Sequence, residues 1–534
     1  MTDKIQLFSY FLLASISGVL MHVSWYPAGH VFLIFIAFVP ILYLVQLKGI
    51  SSWHLFLSSF ISFFLFHVLA GYWMYSSTFL GSLLAHIFNS AYMAWIIWVY
   101  YQWRKRFRFE KGNILLLLAL WLSFEWVHQY WGLAWPWFTL GHVFAEKPMW
   151  IQWYSYTGSA GGTAWILAGN SLITSCVLSI SRRDYKKAIR EFVIVCALIF
   201  LPIAISFQIV TKQAEAKQLM QVVVVQPNIH PTKEKFDGLG AEQQLERALV
   251  LAERAVTQET ELLVFPETML VSYLDEISLA EEPLIEKIRQ FQKAYPRLVV
   301  LTGAFTRKTA DWHFSDAQKT IEDSLPYVLY NSILLIDSTS FQVYHKSKLV
   351  PLVEKQPIAF LMKPLQKYIE RSGGFFGSYG THNTHRLFRL SSGYYLKPLI
   401  CFESAFSHYG AISGSAALMV IVTNDGWWKS SGGYYQHLQL ARLRAIENGL
   451  WVVRAANTGI SAIIDPRGNI ISSTVYGEQA SLTANIPLLK IHTFFQQFPW
   501  LAVVLLVSPG WIMVLAAYWV ASKPVMSSKA KTKP

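Results

Sequence analysis

Eight stretches of 18 or more mostly apolar residues constrain this chain more than any other feature. They lie near 6–23, 30–47, 54–73, 79–102, 113–130, 160–180, 190–210 and 496–520. About 20 apolar residues wound as a helix cross the hydrocarbon core of a bilayer. Only 14% of the 534 residues are charged, against about 25% in a soluble domain. The chain therefore divides by composition. Residues 1–211 read as a transmembrane helical domain of about seven spans. Residues 218–490 read as a polar domain, and residues 491–534 as a final span with a basic tail. The run near 130–160 carries Trp131, Trp135, Trp137, Trp150 and Trp153. It reads as interfacial, where amphipathic rings settle. The first span is followed at once by others and shows no small-residue cleavage site, so it reads as retained and not as a removable leader.

The formal net charge is +13, and its placement decides what that means. Arg104, Lys105, Arg106, Arg108 and Lys111 lie between the fourth and fifth spans. Arg182, Arg183, Lys186, Lys187 and Arg190 lie between the sixth and seventh, and Lys523, Lys529, Lys531 and Lys533 follow the last. Basic loops stay on the cytoplasmic side. Both termini are then expected in the cytoplasm and the polar domain outside it. Topology accounts for the basic clusters, so a nucleic-acid partner is not expected.

The polar domain alternates short β-rich runs (221–226, 261–265, 298–302, 331–337, 398–402, 417–423, 460–465) with helical patterns near 240–257, 281–294 and 434–448. Further strands in tandem near 327–345 suggest hairpins. Such alternation points to layered α/β packing. Cys176 and Cys196 fall inside apolar spans, leaving Cys401 alone in the polar domain. Neither a disulfide framework nor the ligand spacing of a zinc site is visible, and no metal or cofactor is expected.

Three stretches at strand ends could carry chemistry: Phe265-Pro266-Glu267-Thr268, Tyr344-His345-Lys346-Ser347-Lys348 and Leu399-Ile400-Cys401-Phe402-Glu403-Ser404. Strand ends are where α/β proteins assemble sites. A thiolate is the reactive form of cysteine. A carboxylate can take its proton, and an ammonium can hold the thiolate and a later oxyanion. Taken singly, each is ordinary: a small core cysteine, a turn glutamate, a solvated lysine. Their joint occurrence carries the reading. Asn424, Asp425 and Arg454 read as structural hydrogen-bonders, and His437 as a packed or capping side chain. Trp427, Trp428, Phe375, Phe376 and Tyr379 are candidates for an apolar mouth. The glycine-rich stretch Ser372–Gly380 is open to reading as a lid or as a surface loop. His22, Trp25 and Tyr26 read as interfacial anchors.

The order Glu…Lys…Cys, with cysteine followed by an aromatic residue and glutamate, resembles the nitrilase superfamily. With seven spans before and one after, the chain is similar to the membrane-embedded apolipoprotein N-acyltransferase family of Gram-negative bacteria. The motifs are FPET around Glu267, YHKSKLVPLVE through Lys346 to Glu354, ICFE around Cys401, TNDGWW, HLQLARLRAIENG and RAANTGISAIIDPRG. The resemblance implies a four-layer αββα sandwich joined to about eight spans. It also implies Glu267 as general base, Lys346 as oxyanion-stabilising cation and Cys401 as nucleophile. Glu354 would tune the site, with Phe402, Glu403 and Trp427 supporting it or binding substrate. The implied reaction moves an acyl chain from a phospholipid, through a Cys401 thioester, to the amino group of diacylglyceryl-cysteine on an apolipoprotein. A nitrilase-type amidase passing the thioester to water, and a lipid-binding scaffold without activity, are the alternatives. This sequence departs from the family pattern at three places. Phe402 stands for a usual Tyr, Leu352-Val353-Glu354 for Phe-Gly-Glu, and Phe236 for an expected Trp. Acyl-chain preference and oligomeric state are not legible.

Overall fold

The computed structural model describes residues 2–27, 30–107, 113–209, 218–235, 238–309, 327–355, 378–382, 386–411, 416–489 and 492–522. Phe236, Phe375 and Phe376 lie outside them, as does most of the Ser372–Gly380 stretch.

Seven apolar helices open the chain: α1 (Thr2–Trp25), α2 (Val31–Gln46), α3 (Ser52–Ala70), α4 (Phe79–Phe107), α5 (Asn113–Val127), α6 (Tyr154–Ser181) and α7 (Tyr185–Gln208). Five of these, with a closing helix at Pro499–Ser522, are long and apolar enough to cross a bilayer. The shorter α2 and α5 occupy the second and fifth expected spans. This is a membrane protein. Helix α2 is broken at Phe38, and the Asn170 side chain of α6 repairs the break. Its Oδ1 accepts from Phe38 N–H at 2.8 Å, and its Nδ2 donates to the Ile34 carbonyl at 2.8 Å. Backbone groups left unpaired in an apolar surrounding cost too much to leave open.

The tryptophan-rich run does not lie flat at an interface throughout. It folds into three short 3₁₀ turns, Pro136–Phe138, Leu140–Glu146 and Pro148–Trp150. Trp137, Phe138, Leu140 and Phe144 are buried, while Trp131 stays exposed. The run folds inward because its groups find partners there: Tyr154 donates to the Gly141 carbonyl at 2.8 Å. Gly141 also presses so close to α6 that a Cβ would fall 2.0 Å from the Ser159 carbonyl oxygen.

The polar domain is two facing sheets. The first has order β13-β1-β2-β4-β5-β6, with β3 (Leu270–Asp275) paired to β4. Its strands are β1 (Leu219–Gln226), β2 (Thr260–Val264), β4 (Val299–Thr309), β5 (Tyr327–Ile336), β6 (Phe341–His345) and β13 (Ala480–Pro487). The second has order β12-β11-β10-β9-β8-β7. Its strands are β7 (Phe388–Arg389), β8 (Tyr395–Ile400), β9 (Ala416–Thr423), β10 (Trp451–Ala456), β11 (Ala462–Ile464) and β12 (Ile470–Ser473). Strand alternation distributes the side chains between faces. Val222, Val224, Leu262 and Val264 of the first sheet meet Leu418, Val420, Val422 and Val453 of the second in the central core. On the other side, Val223 and Leu263 of the first sheet pack under helices α8 (Ala241–Glu253) and α9 (Pro283–Lys293). Met419, Ile421 and Val452 of the second sheet pack under α10 (Gly432–Asn448). The result is a four-layer αββα arrangement. The core beneath α10 is continuous with that of the membrane helices, from Phe38 and Trp121 to Leu443.

Candidate active site

Strand direction brings the expected residues to one end. β1, β2 and β4 run parallel, and so do β8, β9 and β10. β6 returns antiparallel to β5, itself antiparallel to β4, so β6 also ends on that side. Glu267 follows β2, Lys346 follows β6, and Cys401 follows β8. In parallel sheets, sites form beyond the carboxyl ends of the strands.

The Lys346 ammonium, 1% exposed, donates to Glu267 Oε1 at 3.0 Å and to Glu354 Oε1 at 2.7 Å. Asn331 of β5 donates to Glu267 Oε1 at 2.9 Å and to Glu354 Oε1 at 3.3 Å. The second Glu267 oxygen accepts the Asn424 backbone N–H at 3.0 Å. That bond crosses from the first sheet to the end of β9 in the second. Burial alone would raise the Glu267 pKa, but Lys346 and Asn331 outweigh it and hold the carboxyl below its usual range. Lys346 is pushed the other way. Burial opposes its charge, yet Glu267 and Glu354 keep it firmly protonated.

Strand β4 approaches this cluster closely. A Cβ on Gly303 would sit 2.4 Å from Thr268 N and 2.6 Å from Glu267 Cα. Thr268 itself takes φ +49°. The turn carrying Glu354 has Leu352 at φ +65°, so a left-handed residue is held there without glycine. Val350 N–H anchors Glu354 Oε2 at 2.8 Å.

Cys401 begins a 3₁₀ turn, Cys401–Ala405, at φ +48°. A non-glycine residue in that region stores strain and is uncommon outside functional sites. Burial, then the Glu267 charge, push its thiol well up, against the pull of Lys346. The resting proton therefore sits on sulfur. His437 Nε2 lies 3.1 Å from the Cys401 carbonyl oxygen, and His437 Nδ1 lies 2.8 Å from Asp425 Oδ1. Arg454 donates to Asp425 Oδ2 at 2.7 Å. Asp425, His437 and Arg454 thus form a buried chain of contacts that ends on the Cys401 backbone.

Glu403 touches no solvent. It accepts Ser347 N–H at 2.6 Å, Ile400 N–H at 2.7 Å and the Tyr344 hydroxyl at 2.9 Å. It thus ties the lysine loop to the cysteine strand. Burial pushes its pKa up to about 7 despite these donors. Phe402 lies with its ring centroid 5.0 Å from that of Trp135 and 5.2 Å from that of Phe406. A tyrosine hydroxyl there would point into aromatic packing. Trp427 is half-buried in the Asp425–Trp428 turn. Trp428 packs on Trp73 and Trp137 of the membrane domain, at 4.7 and 5.4 Å, so it forms part of the seam. Tyr379 donates its N–H to the Glu354 carbonyl at 3.2 Å. Among the interfacial candidates, Trp25 packs on Phe66 and Phe138, and Tyr26 remains exposed.

The sequence singles out neither Asn331 nor Lys235, and it marks Asn424 only as a structural hydrogen-bonder without showing that its N–H meets Glu267. Asn331 has a signal only in hindsight, as a polar residue inside the apolar run YVLYNSILLI. Among the described residues no group of His, Cys, Asp and Glu side chains is arranged to hold a metal ion.

Residues 221–494 match the model of the carbon–nitrogen hydrolase family. Residues 17–172 match that of the apolipoprotein N-acyltransferase N-terminal domain. A protein of Chlorobaculum tepidum named apolipoprotein N-acyltransferase is 29% identical over 505 residues, covering 92% of this chain and 93% of its own. One of that name from Pseudomonas syringae pv. tomato is 26% identical, with 83% of each chain covered. A solved amidase from Nesterenkonia sp. is 16% identical with a TM-score of 0.34, covering 50% of this chain and 90% of its own.

Proposed function

The chain belongs to the carbon–nitrogen hydrolase family, and from that premise we propose that it is an apolipoprotein N-acyltransferase working through a Cys401 thioester. The observation that carries the reading is the buried Glu267–Lys346–Glu354 cluster beside a strained cysteine, set on a sandwich whose core runs into the membrane helices.

Glu267 takes the Cys401 proton as sulfur attacks the ester carbonyl of a phospholipid. Because the thiol pKa is raised, proton transfer and attack belong to one event. Two of the three Lys346 N–H groups are committed to carboxylates. The third, with a backbone N–H near Phe402, serves the oxyanion. The ester C–O bond breaks, Glu267 returns the proton to the leaving lysophospholipid oxygen, and an acyl thioester remains. The α-amino group of diacylglyceryl-cysteine on an apolipoprotein then attacks that carbonyl. Its proton passes to Glu267, the C–S bond breaks, and the sulfur recovers its proton. Both substrates are lipids, so a site fused to the bundle turns a dilute encounter into a positioned one.

The loop charges support a division into a membrane domain (1–211), a catalytic domain (218–490) and a last span with a basic tail (491–534). In this reading both termini are cytoplasmic, and the catalytic domain faces the periplasm from the bacterial inner membrane. The test is mass spectrometry of the full-length protein mixed with phospholipid. A fatty acyl mass on Cys401, absent in Cys401→Ala and discharged by a diacylglyceryl lipopeptide, is the expected result. Discharge to free fatty acid with no acylated lipopeptide would return the hydrolase reading. Lipopeptide acylation at normal rate by Cys401→Ala would end both.

A further inference from the structure

A second buried ammonium sits beside Glu267, and the proposed chemistry leaves it unused. Lys235 ends the short turn Pro231–Lys235 and is 3% exposed. Its Nζ donates to the main-chain carbonyl of Glu267 at 3.1 Å. The turn is pinned from behind by Gln244 of α8, whose Nε2 donates to the carbonyls of Lys235 and Leu239, both at 2.8 Å. Lys235 makes no ion pair within 4 Å among the described residues. An ammonium buried in that way carries a desolvation cost that packing alone does not repay.

The charge count around Glu267 gives it a purpose. Glu267 and Glu354 share the single ammonium of Lys346. Two carboxylates on one cation leave a buried net negative charge, which favours protonating one of them. A proton acceptor must stay ionised, and a second cation adds to the hold that Lys346 and Asn331 exert. The Glu267 charge is what opposes the loss of the Lys235 proton, and Lys235 in turn helps hold Glu267 ionised. Burial brings Lys235 down to about 7.

Resting on the acyl-transfer reading, we propose that Lys235 is a positioning residue that fixes the Glu267 backbone and keeps its carboxylate ionised as the proton acceptor for Cys401. It acts on the reaction through Glu267, without touching substrate.

The test reads Cys401 directly, by its rate of alkylation with iodoacetamide across pH in the full-length protein. No acyl donor is needed. A wild-type protein that alkylates but never accepts an acyl chain would therefore sink the transfer reading and leave this one standing. Lys235→Met removes the charge at similar volume. The midpoint of the acid-side fall in reactivity should move up by about one pH unit, about tenfold slower below it. Melting temperature should hold or rise, because a buried charge has gone. In a Glu267→Gln background the same substitution should change nothing further. A Lys235→Met profile that superimposes on wild type overturns the proposal, whatever happens to stability. So does equal slowing in the Glu267→Gln background. If Lys235→Met does not fold, Lys235→Gln is held to the same two criteria.

Discussion

The two sheets of the sandwich have the same layered plan and opposite surroundings. The first carries α8 and α9, whose outer faces meet water. Glu242 of α8 and Lys287 of α9 form an exposed pair. The second carries α10, which has no free face. His437 through Asn448 of that helix is buried apart from Arg442, including Arg444 and Glu447, which pair at 2.9 Å with neither side chain exposed. Membrane-domain groups supply the other partners. Gln436 Oε1 accepts the indole N–H groups of Trp73 at 3.1 Å and Trp137 at 2.9 Å, and its amide donates to the Ala70 carbonyl at 3.0 Å. Glu447 accepts Ser159 N–H at 2.9 Å. The difference teaches where precision is stored. Glu267 and Lys346 come from the sheet that faces water, while Cys401 comes from the sheet locked to the bundle. The site closes only where the two meet.

Each prediction tests that asymmetry. Removing charge from the locked side should cost most. Asp425→Asn leaves Arg454 buried without its anion, so denaturant unfolding should show a loss of about 3–5 kcal/mol. The largest kinetic effect should follow from removing the cation that Glu267 and Glu354 share on the water-facing sheet. Lys346→Ala should slow thioester formation about 100- to 1000-fold in single-turnover assays. At the seam itself, Gln436→Ala strands two indole donors and should cost about 1–3 kcal/mol. That loss should appear as earlier proteolysis or melting, with the acylation rate of the surviving fold nearly intact. On the water-facing side, Arg297→Ala removes an exposed pair with Glu259 and should change neither melting nor rate measurably. An Arg297→Ala effect as large as that of Gln436→Ala would mean the two sheets are not distinguished by their surroundings at all.

The legible part of the site was its chemistry-bearing residues, because Glu267, Lys346 and Cys401 each stand just after an apolar strand. The rest was hidden for definite reasons. Strand β10 was missed because WVVRAA places a buried arginine within the run, and partners distant in sequence, Asp425 above all, make that arginine tolerable. Strand β3 was missed because LVSYLD lies at an edge with Ser272 and Tyr273 exposed. Asn331 and the Asn424 N–H are ordinary groups until folding aims them at one carboxylate. Lys235 carries no signal in the sequence, since burial is not a local property of it.

By itself, then, the sequence determined what must leave water and what stands at its edge: eight apolar segments, an alternating α/β domain between the last two, and Glu267, Lys346 and Cys401 at strand ends. Periodicity and composition are local, and they suffice for that. Only the tertiary structure decided which sheet met the bundle, that the tryptophan run folded inward, and that one ammonium would serve two carboxylates. Those outcomes depend on distances between residues far apart in the chain. Such distances are set by packing and by the need of every buried polar group for a partner.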